Sequence, residues 1–222
     1  MRYLHSFIIA ALFAIALNTP AFAAVVTGTT GSPATRYDVT VTKIELCRST
    51  ACSNPFVMGT ATKTFDIASA SAGADVGNYI SLKGIPLWQT WSHVRVTLST
   101  VFTITGGDGT CQTDGSTTAD RTTLATGTAG AGAGTPSVLR LPNENIANGP
   151  PTGYYAGIGF TAVNDAPTFS IVYALTTPYT CKGKMPRVEI KFDTSTAFGH
   201  DPGACNVVFP QPPTVTITAS DP

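Results

Sequence analysis

Residues 93–105 (HVRVTLSTVFTIT) alternate almost without a fault, with Val94, Val96, Leu98, Phe102 and Ile104 on one parity and His93, Arg95, Thr97, Ser99 and Thr103 on the other. A two-residue period places successive side chains on opposite faces of an extended chain, so this segment predicts a strand with one buried and one wetted side. Residues 187–193 (RVEIKFD) repeat the pattern with Val188, Ile190 and Phe192 inward. So do residues 36–46, where the apolar parity of Tyr37, Val39 and Val41 slips to Ile44 and Leu46. A slip of that kind predicts a bulge near Thr42 and Lys43. Shorter candidates lie at 63–67, 78–82, 137–141, 154–163, 169–176, 206–209 and 214–218, separated by Gly, Pro and Ser. No segment beyond the N-terminus carries a helical apolar stripe. About nine short strands with such punctuation predict an all-β chain, an antiparallel two-sheet sandwich.

Residues 1–23 set the compartment. Arg2 precedes an uncharged apolar run at 7–17 (FIIAALFAIAL), Pro20 breaks it, and Ala21-Phe22-Ala23 offers small residues to a signal peptidase. The run is too short for a stable membrane span, so it reads as a secretory signal peptide. The expected organisation is a signal peptide at 1–23, an N-terminal arm at 24–35 and a single domain at 36–222. A secreted, bacterial cell-surface or periplasmic location follows, with no membrane span and no cysteine at the cleavage point to carry a lipid.

All five cysteines (Cys47, Cys52, Cys111, Cys181 and Cys205) lie past the signal. Cys47 and Cys52 have the spacing of a local loop-closing disulfide. The other three leave one over, either a buried thiol or an intermolecular bridge. Lys and Arg number 13 against 13 Asp and Glu, and charged residues make up only 12% of the chain. Near neutrality removes the electrostatic case for nucleic acid or an acidic membrane surface. Thr, Ser, Gly and Ala take the place of charge, and Thr wets a strand surface without it.

One stretch breaks the strand series. Residues 106–135 contain 22 Thr, Gly and Ala among 30 positions, with Leu124 the only large aliphatic. Such a composition buries too little to offset its ordering entropy, so it predicts a long flexible loop insertion, tethered if Cys111 is bridged. Division into two domains there is disfavoured, because neither half holds strands enough to close.

Four segments carry a resemblance: 37–46 (YDVTVTKIEL), 93–99 (HVRVTLS), 190–198 (IKFDTSTAF) and 208–218 (VFPQPPTVTIT). Together they resemble a family of secreted bacterial domains of unknown function. The resemblance implies an immunoglobulin-like or prealbumin-like sandwich on the cell surface, and it brings no catalytic residues.

Candidate chemistry is sparse. His93 starts a strand on its polar face, and His200-Asp201 sits in a Gly/Pro-rich loop without a nucleophile elbow or a metalloprotease helix nearby. No residue set calls for a metal or another cofactor. Asp108, Asp114 and Asp120 fall six residues apart in the long loop without EF-hand spacing, which favours a solvated loop. Gly130 to Gly134 alternates with alanine but follows no strand and has no Lys-Ser/Thr, so low complexity explains it. Trp88, Trp91, Tyr154 and Tyr155 are candidates for an aromatic platform that stacks on sugar rings, with core packing the simpler alternative. The uncharged arm, with Val25 and Val26, has the composition to add as a strand to a neighbour's open sheet edge. The expectation is therefore a non-catalytic, self-associating structural protein, with a polysaccharide- or ligand-binding adhesion module as the alternative.

Overall fold

The computed structural model of the chain describes residues 30–69, 84–132, 134–147, 149–183, 187–201 and 205–220. The signal peptide expected at 1–23, residues 24–29 of the expected arm and the strand expected at 78–82 lie outside these. The described backbone is all β but for one helical turn. It opens with β1 (Thr30–Ser32), the long β2 (Ala34–Cys47), β3 (Phe56–Gly59), β4 (Lys63–Asp66), β5 (Thr90–Ser99) and β6 (Val101–Gly106). Three small strands follow, β7 (Cys111–Asp114), β8 (Gly127–Ala129) and β9 (Gly134–Thr135), then β10 (Ser137–Arg140). After the turn α1 (Tyr154–Gly157) come β11 (Phe160–Thr161), β12 (Thr168–Thr180), β13 (Arg187–Asp193), β14 (Phe198–His200), β15 (Val208–Pro210) and β16 (Thr214–Ser220).

β5 and β6 lie end to end along one edge of β2, with His93 opposite Cys47 and Gly106 opposite Ala34. The strand expected at 93–105 is therefore present but broken at Thr100. There the Thr100 N–H donates to the Pro167 carbonyl, and the Thr100 carbonyl accepts from Leu141 N–H. The partner on the far edge changes at the same point from β12 to β10. The register of β2 shifts between Val41 and Lys43, which keeps Val41 and Ile44 on one buried face. β3 and β4 occupy the opposite edge of β2.

Apolar side chains from this sheet gather into two clusters. Tyr37, Phe102, Ile104 and Phe169 centre one, and Ile44, Trp91, Val94 and Ile217 centre the other. Phe65, Leu98 and Tyr173 touch both, so the core is continuous. Fully burying each such side chain contributes about 1.5–3 kcal/mol, which makes the alternating parity the dominant instruction in the sequence. The antiparallel pair β13–β16, registered over seven residue pairs from Arg187↔Ser220 to Asp193↔Thr214, contributes Ile190, Phe192, Val215 and Ile217 to the same interior.

Three expectations need correction. Residues 154–163 were expected as a strand; instead Gly153 and Gly159, both at positive φ, bracket the turn α1, and only Phe160–Thr161 is extended. The arm is not separate over its whole length, because Thr30–Ser32 pairs with β14 and Ala34 already belongs to β2. Gly199 sits under the Phe209 ring in that small sheet, where a Cβ would collide with the ring. Nor is 106–135 a bare loop. It forms the sheet β8-β7-β9, and disulfide Cys111–Cys205 ties it to the segment before β15.

Arg121 adds to that anchoring. Its side chain is buried, with Nε donating to Leu141 O at 2.6 Å and Nη1 donating to Val163 O and Ala166 O at 2.9 and 2.7 Å. A guanidinium satisfying three loop carbonyls supplies what this stretch lacks in apolar area.

Candidate functional site: an apolar seam between β12 and β16

β5 holds one edge of β12. On the other edge β11 pairs at Phe160↔Ile171, and β16 pairs in parallel at Leu175↔Ile217. Between those points, residues 172–174 have no ladder partner on that edge among the described residues. On the N-terminal side of Leu175 the two strands line opposite walls of a cavity of about 90 Å³. Ile171 and Tyr173 form one wall, Val215 and Pro213 the other, with Ile190 and Phe192 beside them and Val39, Val96 and Leu98 as the floor.

Two sequence features open this seam. β16 is paired over its whole length with β13 on its other edge, whereas it meets β12 at one registered pair. The run Pro210, Gln211, Pro212, Pro213 feeds β16 with residues that supply almost no ladder donors. It is fastened instead by Tyr37, whose hydroxyl donates to the Gln211 carbonyl at 3.0 Å. Burial pushes the Tyr37 and Tyr173 phenols up, so both stay neutral. An unfilled space of this size in an apolar core costs about 2 kcal/mol at the rate found for truncated cores. A void of that kind is filled at a gain by any apolar group that reaches it.

The aromatic candidates do not form one platform. Trp91 is buried and packs at 6.1 Å from Phe56. Trp88 is 74% exposed, at φ 61°, and its N–H donates to Cys181 O. Tyr155 is buried, stacks on Phe160 at 6.2 Å and donates to Pro142 O at 2.6 Å. Tyr154 packs edge-on against it at 5.6 Å. Phe160 in turn meets Phe169, which pairs with Leu98, whereas Trp91 stands seven residues earlier on β5. At strand rise that is roughly 23 Å, so the tryptophans and the tyrosines occupy opposite ends of the sandwich.

His200 is brought together with Asp108 by the fold, and with a residue the sequence did not single out, Ser32. Nε2 of His200 lies 3.0 Å from Asp108 Oδ2 and 3.1 Å from Ser32 Oγ, while Nδ1 faces the Asp201 carbonyl. A hydrolytic relay needs the carboxylate on the nitrogen opposite the nucleophile. Here both partners share one nitrogen, and His200 and Ser32 are buried. The cluster fastens β1, β14 and the β6–β7 connection beside Cys111–Cys205. His93 is far from it, hydrogen-bonded to Ser92 and paired with Cys47.

The six-residue spacing of Asp108, Asp114 and Asp120 proves to be a repeated turn. Each carboxylate accepts backbone N–H groups just ahead: Thr110 and Cys111, Ser116, and Thr122 and Thr123. These Asx turns hold the Asp108 and Asp120 carboxyls below the ordinary range. Gly130 donates to Thr110 O and Gly132 to the Gln112 side chain, so the glycine run wraps β7. Among the described residues no three His, Cys, Asp or Glu gather as a metal site.

Two cysteine pairs are joined, Cys47–Cys52 and Cys111–Cys205. Cys181, counted among the candidates, is in neither bridge and is buried in the core beside Trp91, so it is closed to an intermolecular disulfide in this fold. The bridges are consistent with a periplasmic or extracellular protein. No described helix is long and apolar enough to cross a membrane.

Glu45 was missed by the alternation, which placed it on the wetted face. It is buried there between Lys43 and Arg95, each at 2.6 Å. Burial pushes its carboxyl up, but hydrogen bonds from Arg95 and Lys43 outweigh that and hold it low.

No family model, curated protein or solved structure matches this chain.

Proposed function

We propose that the protein is a secreted, non-catalytic structural component of the cell surface or extracellular space that associates with further copies of itself by strand addition. The observation that carries this reading is the seam: a stretch of β12 edge without a ladder partner among the described residues, beside an apolar cavity. An extended segment laid there gains backbone hydrogen bonds from the edge and side-chain burial from the cavity. The oxidised cysteines, the hydroxyl-rich strand faces and the resemblance to secreted β-sandwich domains support it. So does the His200 cluster, whose polar groups are spent on one another inside the fold.

The test is the association state of the mature secreted protein, by light scattering across a hundredfold concentration range and by electron microscopy. Oligomers or filaments are expected, lost in Val215→Asp with the strand spectrum intact. A monodisperse monomer throughout would sink the reading.

Trp88 favours a second reading, an adhesion module for polysaccharide. A bulky side chain at positive φ is strained, and this one is spent holding an indole in solvent beside exposed Leu87. Retention on a polysaccharide column, lost on Trp88→Ala alone, would favour it.

A further inference from the structure

We infer that the segment which enters the seam is residues 24–29 (AVVTGT) of a second copy, laid along the β12 edge at 172–174 with a valine in the cavity. The inference rests on the self-association reading and names its donor.

The direction of β1 carries the argument. Ser32 pairs with Phe198, which pairs with Pro210; Thr30 pairs with His200, which pairs with Val208. The seam continues from Pro210 to Pro212 and Pro213. Traced backward from Ser32 to Thr30, the chain therefore heads away from its own seam. Thr30, the first described residue, lies in β1 on the side of β14 away from β15, and we take the segment ahead of it to serve a neighbour's seam rather than its own.

Composition matches the site. The six residues carry no charge, and in extended form they span roughly 20 Å, ample for the three positions on β12 that lack a ladder partner among the described residues. Val25 and Val26 alternate sides, so either register of the segment aims one branched side chain at the cavity. By the usual measure the cavity has room for about six waters, which is space for one valine and part of a second residue. Thr27 and Thr29 complete an edge-compatible strand, and Gly28 allows close approach of the backbone.

The experiment uses the secreted mature chain, its N-terminus verified by mass, against Val25→Asp/Val26→Asp and Val215→Asp. A synthetic peptide of residues 24–30 is the probe. Support requires that the arm variant lose at least tenfold of its oligomer at matched concentration, and that its monomer bind the peptide while Val215→Asp does not. Cross-linking should then join Val26→Cys of one copy to Ala174→Cys of another in a mixed sample. Oligomers that persist in the arm variant but vanish in Val215→Asp would overturn the donor while leaving self-association standing. Monomer in every sample would overturn both. If the arm variant behaves as wild type and Ile80→Asp/Leu82→Asp alone opens the cavity to an apolar dye, the seam belongs to the chain's own residues 78–82 and the inference fails.

Discussion

Leu175 of β12 and Ile217 of β16 form the single registered pair between those strands, and they close the inner end of the apolar seam. Both side chains are buried. The pair acts as a latch: beyond it Thr176 and Thr218 share a hydroxyl hydrogen bond, and before it the two strands line the cavity.

Truncating the latch should therefore do more than remove buried area. Ile217→Ala is expected to cost about 2–5 kcal/mol, as for other large-to-small core changes. Leu139→Ala on β10, equally buried, should cost a similar amount. The two differ in a second readout, since only Ile217→Ala should raise binding of an apolar fluorescent dye under native conditions. Urea unfolding with parallel dye titration checks both.

The two disulfides should differ in worth. Cys111 and Cys205 are 94 residues apart, Cys47 and Cys52 only five. On the chain-entropy account the long loop is worth about 4.7 kcal/mol and the short one about 2 kcal/mol. Cys111→Ser/Cys205→Ser should then lower the urea midpoint about twice as far as Cys47→Ser/Cys52→Ser. It should also make 106–135 the first site of proteolytic cleavage, because the tether that holds β7 against the body is gone.

Arg121 is expected to be the other determinant of that region. Arg121→Lys keeps the charge but cannot fork across Leu141, Val163 and Ala166. Arg121→Ala leaves those carbonyls without their donor, at about 1–3 kcal/mol for each buried group unsatisfied. Both variants should be destabilised, Ala more than Lys, with the loss of amide protection concentrated at 116–126 and 141–147 in hydrogen exchange.

Acid should weaken the protein through carboxylates that the fold holds deprotonated. Burial pushes the Asp66 carboxyl up, but N–H groups of Tyr37, Ser69 and Ala68 and the Ser69 hydroxyl more than offset this. Its folded pKa thus lies below the unfolded value, as does that of Glu45. Their stabilisation is complete above the ordinary carboxylate range near 4 and drains away as pH falls through the lowered folded values. The melting temperature should hold from pH 7 to about 5 with respect to these groups and drop below about 4. Asp66→Asn and Glu45→Gln should start lower and fall less steeply; an unchanged slope in both would assign the acid sensitivity elsewhere.

What could be read from the residues follows the reach of the interactions. The alternation at 36–46, 93–105 and 187–193 depends on nearest neighbours two positions apart, and it located β2, β5 with β6, and β13, even to the slip after Val41. Thr100 was invisible because its break is imposed by Pro167 and Leu141, far off in sequence. Residues 106–135 were misjudged for a related reason. Its apolar content is low, whereas the segment is held by one guanidinium, a disulfide and three aspartate turns. His200 and Asp108 were each noticed singly, but 92 residues separate them and Ser32 gave no signal at all. The seam was foreshadowed only by the proline run at 210–213, which marks where a ladder must stop.

Trp88 and Trp91, three positions apart, should respond in opposite ways. Trp91 is buried against Phe56, so Trp91→Ala should cost about 3–5 kcal/mol. Trp88 projects into solvent from a backbone at φ 61°, which a glycine adopts freely. Trp88→Gly should therefore leave stability unchanged or raise it by up to about 1 kcal/mol. Under the adhesion or self-association reading, the exposed indole serves a contact outside the fold. The more stable Trp88→Gly protein should accordingly be the one that loses attachment, measured as retention on polysaccharide or on immobilised copies of the same chain. Unaltered retention on both surfaces, with the expected gain in stability, would show that the exposed indole serves neither.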